Sequence, residues 1–104
     1  LLLNINITLA DQLYTPEQLR MMISNENYPS QSDVYKTTTS SALFPSCKAS
    51  AREILSQIQP YYPVKIIVDS DIVYTAKAWI NDGATTITCS KLDMKMIVTN
   101  SHYN

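Results

Sequence analysis

Glycine is almost missing from this sequence: Gly83 is the only one in 104 residues. Loops that cradle phosphates, of the P-loop or the dinucleotide type, need several glycines to bring backbone N–H groups close to the ligand, so both are excluded. One histidine, His102, and two cysteines, Cys47 and Cys89, are too few soft ligands for an ordinary structural zinc site. Charge is scarce as well. Charged residues make up 16% of the chain, against a usual share of about 25%. Eight Lys plus Arg stand against nine Asp plus Glu, and no basic stripe for nucleic acid can be assembled from so balanced a set. No apolar run approaches the ~20 residues of a membrane-spanning helix. What is present is 45% hydrophobic residues, which supports a folded core and a single domain over residues 1–104.

Two readings of the cysteines compete, buried free thiols in a cytosolic protein or one disulfide in an exported one. The first ten residues, LLLNINITLA, bear on this choice in two ways. Thr8 and Ala10 fit the small-residue rule before a signal cleavage site, which makes the segment the tail of an export signal. The alternation of Leu3, Ile5, Ile7 and Leu9 with Asn4, Asn6 and Thr8 fits a half-buried N-terminal edge strand. The export reading implies a periplasmic or secreted protein with a Cys47–Cys89 bridge.

Thr15-Pro16-Glu17-Gln18 reads as a helix start, with Thr15 as cap, Pro16 at the first helical position and Gln18 completing a capping box. Tyr14 and Leu19 stand where a hydrophobic staple would place them, and Asn25 to Pro29 should end the helix, Asn tolerating a left-handed cap. From Pro29 to Pro45 the chain is rich in Ser and Thr and has no apolar period, so the expectation is a long surface loop. A second helix is expected from Ser46, with Cys47, Ala51, Ile54, Leu55 and Ile58 on its buried stripe. Beyond Pro63 the pattern is strand-like. Val64, Ile66 and Val68 point inward, and Ile72–Ile80 and Ala84–Ser90 form a hairpin about Asp82-Gly83. In that register Ala78 faces Ile87 and Ala76 faces Cys89. Met94–Thr99 supplies a last strand. The fold class is therefore α+β, two helices packed on one face of a four- to five-stranded antiparallel meander sheet. Helix two would lie over Ala76 and Ala78, which brings Cys47 near Cys89.

The opposite sheet face is mostly polar but includes Ile67, Val73, Lys77 and Trp79, a composition that suits a protein-binding patch centred on the tryptophan. Alternatively the N-terminal segment or the long loop, with Tyr35 in it, covers these residues. If the patch is free, a Trp79→Ala, Ile67→Ser double change should abolish binding and leave the melting temperature nearly unchanged. No catalytic set emerges. His102 lies two residues from the C-terminus, where chain ends are usually mobile, and turn aspartates such as Asp69 and Asp71 most often bond their own backbone.

A Cys opening a helix (Phe44-Pro45-Ser46-Cys47), followed by antiparallel strands with a second Cys (Thr88-Cys89), resembles the layout of small exported bacterial proteins with one disulfide. The colicin M immunity proteins are of this kind. The resemblance covers residues 44–99 and departs in the first helix and the Ser/Thr-rich stretch, so no functional residue is carried over. It implies periplasmic residence, partner binding and no catalysis. The functional expectation is a non-enzymatic exported domain of immunity or inhibitor type that binds another protein, such as a toxin or effector enzyme. It would use no cofactor, metal or nucleic acid, and its partner-binding residues would be Trp79, Ile67, Val73, Lys77 and Tyr35. The alternative is a structural, adhesive or toxin-type binding subunit that assembles through an edge strand.

Overall fold

A computed structural model describes residues 12–104; the N-terminal segment expected to be either a strand or a signal remnant lies outside the described residues. Among the described residues the architecture is α+β, with two helices and one five-stranded antiparallel sheet. In chain order the elements are α1 (Pro16–Ser24), β1 (Gln31–Ser41), α2 (Phe44–Ile58), β2 (Val64–Asp69), β3 (Val73–Ile80), β4 (Gly83–Ser90) and β5 (Lys95–Tyr103). Strands β2 to β5 form the expected meander. Strand β1 adds beside β5, giving the order β1-β5-β4-β3-β2. The chain thus leaves one edge of the sheet, crosses by way of α2, and re-enters at the other edge.

Helix α1 starts as its sequence requires. Thr15 Oγ1 accepts from the Gln18 amide at 3.1 Å, and Gln18 Oε1 accepts from the Thr15 amide at 2.8 Å. At the other end Asn25 keeps a negative φ of -93°, and Glu26 takes the left-handed conformation in its place (φ 56°). Helix α2 begins two residues before the expected Ser46. Its cap is Leu43, which has no side-chain cap bond, and Pro45 sits in the first turn, where no intrahelical N–H is needed. Cys47, Ala51 and Leu55 form the buried stripe, while Ile54 is exposed.

The stretch expected as a loop is mostly strand β1. A central or half-buried strand betrays itself by alternating apolar residues, but β1 is exposed over most of its length and lacks that signal. It forms because β5 offers it a ladder from Gln31↔Tyr103 to Ser41↔Lys95, and the β-branched Thr37, Thr38 and Thr39 suit the extended backbone.

The β3–β4 hairpin turns on Asn81-Asp82, with Ile80 opposite Gly83, so that Ala76 pairs with Ile87 and Tyr74 with Cys89. This differs from the expected register by a shift that keeps every side chain on its expected face, since only an odd slip exchanges faces. Gly83 is needed here for space. A Cβ at this position would lie 2.1 Å from the Ser101 carbonyl oxygen on β5. Gly83→Ala should therefore lower stability by about 1–3 kcal/mol, the usual range for forced overpacking, as a urea titration would read; an unchanged midpoint would mean that β5 moves aside freely.

Two hydrophobic clusters lie on opposite faces. Under α2, Cys47, Ala51 and Leu55 pack on Tyr74, Ala76, Ala78, Ile87 and Cys89, and the Cys47–Cys89 disulfide joins helix to sheet with a Cα–Cα distance of 5.8 Å. On the other face, at the β3–β4 turn, Leu19 of α1 packs with Trp79, Ala84 and Tyr103. Trp79, Ala84 and Tyr103 have the opposite strand parity to Tyr74, Ile87 and Val98. The two helices therefore lie on opposite faces, which corrects the expectation that both pack on one face; α1 covers part of the face that had been assigned to partner binding. The physical reason is burial: Trp79 and Tyr103 are too large and apolar to leave in water, and α1 is the element that reaches them. The Tyr103 hydroxyl lies 2.7 Å from the Ile80 carbonyl and 2.8 Å from that of Gly83, sharing its proton between them. Burial, with Asp82 nearby, pushes its ionisation well above the usual phenol range.

Candidate functional site

Strand β2 ends the sheet among the described residues, and its sequence VKIIVD is unusually apolar for an edge. Val64, Lys65 and Ile66 pair with Ala78, Lys77 and Ala76, and Val68 then pairs with Thr75, so Ile67 is an extra residue in a bulge. The bulge sends Val68 to the face opposite Ile66, correcting the expectation that Val64, Ile66 and Val68 all point inward. Ile66 and Ile67 (each 51% exposed), Val68 (39%) and, in the following turn, Ile72 (45%) all reach solvent. That turn is held by Ser70, whose Oγ accepts from the Ile72 and Val73 amides. Asp69 does not bond its own turn but makes an ion pair with Lys48 of α2 at 2.7 Å.

Grooves flank this strand on both sides. The outer one, of about 480 Å³, is lined by Tyr28, Lys65, Ile66, Ile67, Lys77 and Trp79. The other, of about 380 Å³, lies against α2 and includes Leu55, Val64, Ile66 and Tyr74, with Arg52 over the Tyr74 ring at 5.8 Å. In the outer groove Tyr28 stacks on Trp79 with centroids 5.6 Å apart. Lys77 Nζ lies 5.2 Å from the Trp79 ring centroid, and Lys65 Nζ lies 5.2 Å from that of Tyr28, whose hydroxyl it also contacts. Burial pushes the Lys77 ammonium below the ordinary lysine range, whereas the Tyr28 hydroxyl bond raises that of Lys65.

The residues expected to bind a partner are thus divided. Ile67, Lys77 and Trp79 come together, but Trp79 is only 2% exposed and belongs to the core beneath α1 and Tyr28; it is a floor, and not the centre of an exposed patch. Val73 shares the outward face yet lies at the far end of β3 and does not line the groove. Tyr35 lies on β1, at the opposite edge of the sheet, where its ring stacks on His102 at a centroid distance of 4.0 Å. Tyr28, Lys65 and Ile66 complete the groove; strand parity puts Lys65 on this outward face without naming it as a binding residue, and sequence reasoning did not assign Tyr28 or Ile66 to it. Lys65 could be read from its alternation with Val64 and Ile66. Tyr28 could not, because its approach to Trp79 depends on how α1 and β1 are laid across the sheet.

His102 is part of β5, contrary to the expectation of a mobile end, and its Nδ1 is 3.4 Å from the Asp82 carbonyl oxygen. Both cysteines are consumed by the bridge, so neither is available as a nucleophile. Comparison with protein-family models, with curated proteins and with solved structures found no match to this chain.

Proposed function

We propose that this chain is a non-enzymatic, exported protein-binding domain, periplasmic or secreted, of the immunity or inhibitor type: it engages another protein and blocks it. The observation that carries this reading is the exposed apolar series Ile66, Ile67, Val68 and Ile72 at a sheet edge. Exposed apolar side chains gathered at a sheet edge mark interaction surfaces, and a strand such as β2 that ends the sheet among the described residues offers backbone N–H and C=O groups to an extended segment of a partner. The disulfide supports an oxidising compartment. Among the described residues no helix is long and apolar enough to cross a membrane.

The test is cross-linking in the envelope of the native host, with the wild-type chain and an Ile66→Ser, Ile67→Ser variant compared side by side. Both side chains are half exposed, so the variant should fold while losing the cross-linked partner. Equal capture by both would remove the β2 edge from the binding surface.

Strand β1 favours a second reading, a structural, adhesive or toxin-type subunit assembled edge to edge. It is eleven residues long and ends the sheet on the other side among the described residues. Two irregularities in its pairing, between Gln31 and Lys36, interrupt its N-terminal half, and bulged edges resist strand addition. It also lacks the isoleucines that distinguish β2.

A further inference from the structure

The outward face of the β2–β3 pair carries a charge arrangement that the fold does not require. Lys65 and Lys77 are direct cross-strand partners, and like charges so placed repel and weaken a sheet. Neither makes an ion pair among the described residues; the ion pair found there, Lys48–Asp69, belongs to α2 and the end of β2. Glu26 favours the charged form of Lys65 through space but does not approach within ion-pair distance. The Lys77 ammonium lies instead 5.2 Å from the Trp79 ring centroid, and Lys65 donates to the Tyr28 hydroxyl at the edge of the stacked Tyr28–Trp79 pair. Among the described residues two cations therefore line one groove with no carboxylate between them, beside an apolar strand that ends the sheet.

We propose that this lysine pair recognises carboxylates on the partner, and that the segment bound along β2 is one in which acidic and apolar residues alternate. This rests on the edge-binding reading above and gives the partner its chemistry. A strand added to β2 would extend the cross-strand row Thr86–Lys77–Lys65 by one position. A glutamate or aspartate there becomes the direct neighbour of Lys65 and offsets its repulsion from Lys77. Side chains of an extended segment alternate between faces, so its next residue falls on the α2 side, beside Ile66, Val64 and Leu55, where the lining is largely apolar. An edge lysine also opposes indiscriminate strand pairing. A requirement for an acidic residue turns that obstacle into selectivity.

A capped six-residue peptide alternating glutamate and valine tests this when titrated at low salt into the full chain, with backbone amide NMR shifts as readout. A second peptide with glutamine in place of glutamate is the control. The glutamate peptide should shift the amides of Ile66 to Val68 and bind at least about fivefold more tightly than the glutamine peptide, the scale of one or two exposed ion pairs. That preference should disappear at high salt. It should also disappear in Lys65→Gln and in Lys77→Gln; Lys65 is solvent-exposed, so the first of these variants keeps the test independent of folding. Equal binding of the two peptides at β2 would overturn carboxylate recognition and leave the edge reading standing. If neither peptide moved the β2 amides, both readings would fall.

Discussion

Opening the Cys47–Cys89 bridge is expected to cost about 4 kcal/mol of folding stability, from the loop-closure entropy of a crosslink of this span. The two cysteines are 42 positions apart, and a small domain is stable by only about 5–15 kcal/mol in all. The loss would therefore remove between about a quarter and about four fifths of that margin. The bridge acts at the centre of the molecule: Cys47 is 1% and Cys89 0% exposed, both inside the cluster beneath α2. A Cys47→Ala, Cys89→Ala double variant keeps these positions apolar and isolates the crosslink from any burial of hydroxyls. In urea its midpoint should fall by roughly 2 M, given the usual dependence of stability on denaturant for a domain of this size. Reduction of the wild-type protein should give a similar shift. A midpoint within about 0.5 M of wild type would show that the unfolded chain is already held compact without the bond.

Trp79→Ala should destabilise the protein by about 3–5 kcal/mol, the range for truncating a large buried aromatic. That corresponds to a fall in melting temperature of more than about 10 °C for a domain of this length. The indole is 2% exposed, with Leu19, Ala84 and Tyr103 in its cluster and Tyr28 stacked upon it. Ile67→Ser, at a half-exposed position of the bulge, should change stability by only about 0.5 kcal/mol or less. The double change that the sequence alone suggested would leave stability intact is therefore expected to unfold much of the molecule, and the tryptophan half of the pair accounts for the loss. Thermal melts of the two single variants check this. A near-normal melt for Trp79→Ala would return the residue to the surface and reopen the whole outward face as a binding patch.

Much of the fold could be read before any coordinates because its signals are local. Thr15, Pro16 and Gln18 are sufficient to start α1, since the capping bonds span only three residues. The stripe Cys47, Ala51, Leu55 marks the buried side of α2, and the alternation in β3 and β4 assigns Tyr74, Ala76, Ala78, Ile87 and Cys89 to one face in both the expected and the observed hairpin register, which differ by an even shift. Those two patterns together pointed to the disulfide. Strand β1 was illegible for the converse reason: its partner is β5, some sixty residues later in the chain by the pairing Lys36↔Asn100, and an exposed Ser/Thr strand has no apolar period of its own. The β2 bulge was equally hidden, because one extra residue in VKIIVD looks like any other alternating run until its partner strand is known.

The candidate site was only partly legible, and the division follows the same line. Ile67, Lys77 and Trp79 were found by sheet parity, which is a property of the chain itself. Parity cannot say whether a face is covered, and here α1 and Tyr28 cover the tryptophan while leaving the isoleucines of β2 bare. The amino-acid sequence by itself determined the α+β class, the first helix and its cap, and the cysteine pair, all through contacts between near neighbours or through periodicity. Tertiary structure alone decided which face α1 would shield, where the extra residue of β2 would bulge, and that Lys65 would stand opposite Lys77. Each of these depends on which distant segments meet, and the free energy that selects such meetings comes from burying large side chains such as Trp79 and Tyr103, a quantity that belongs to the assembled molecule.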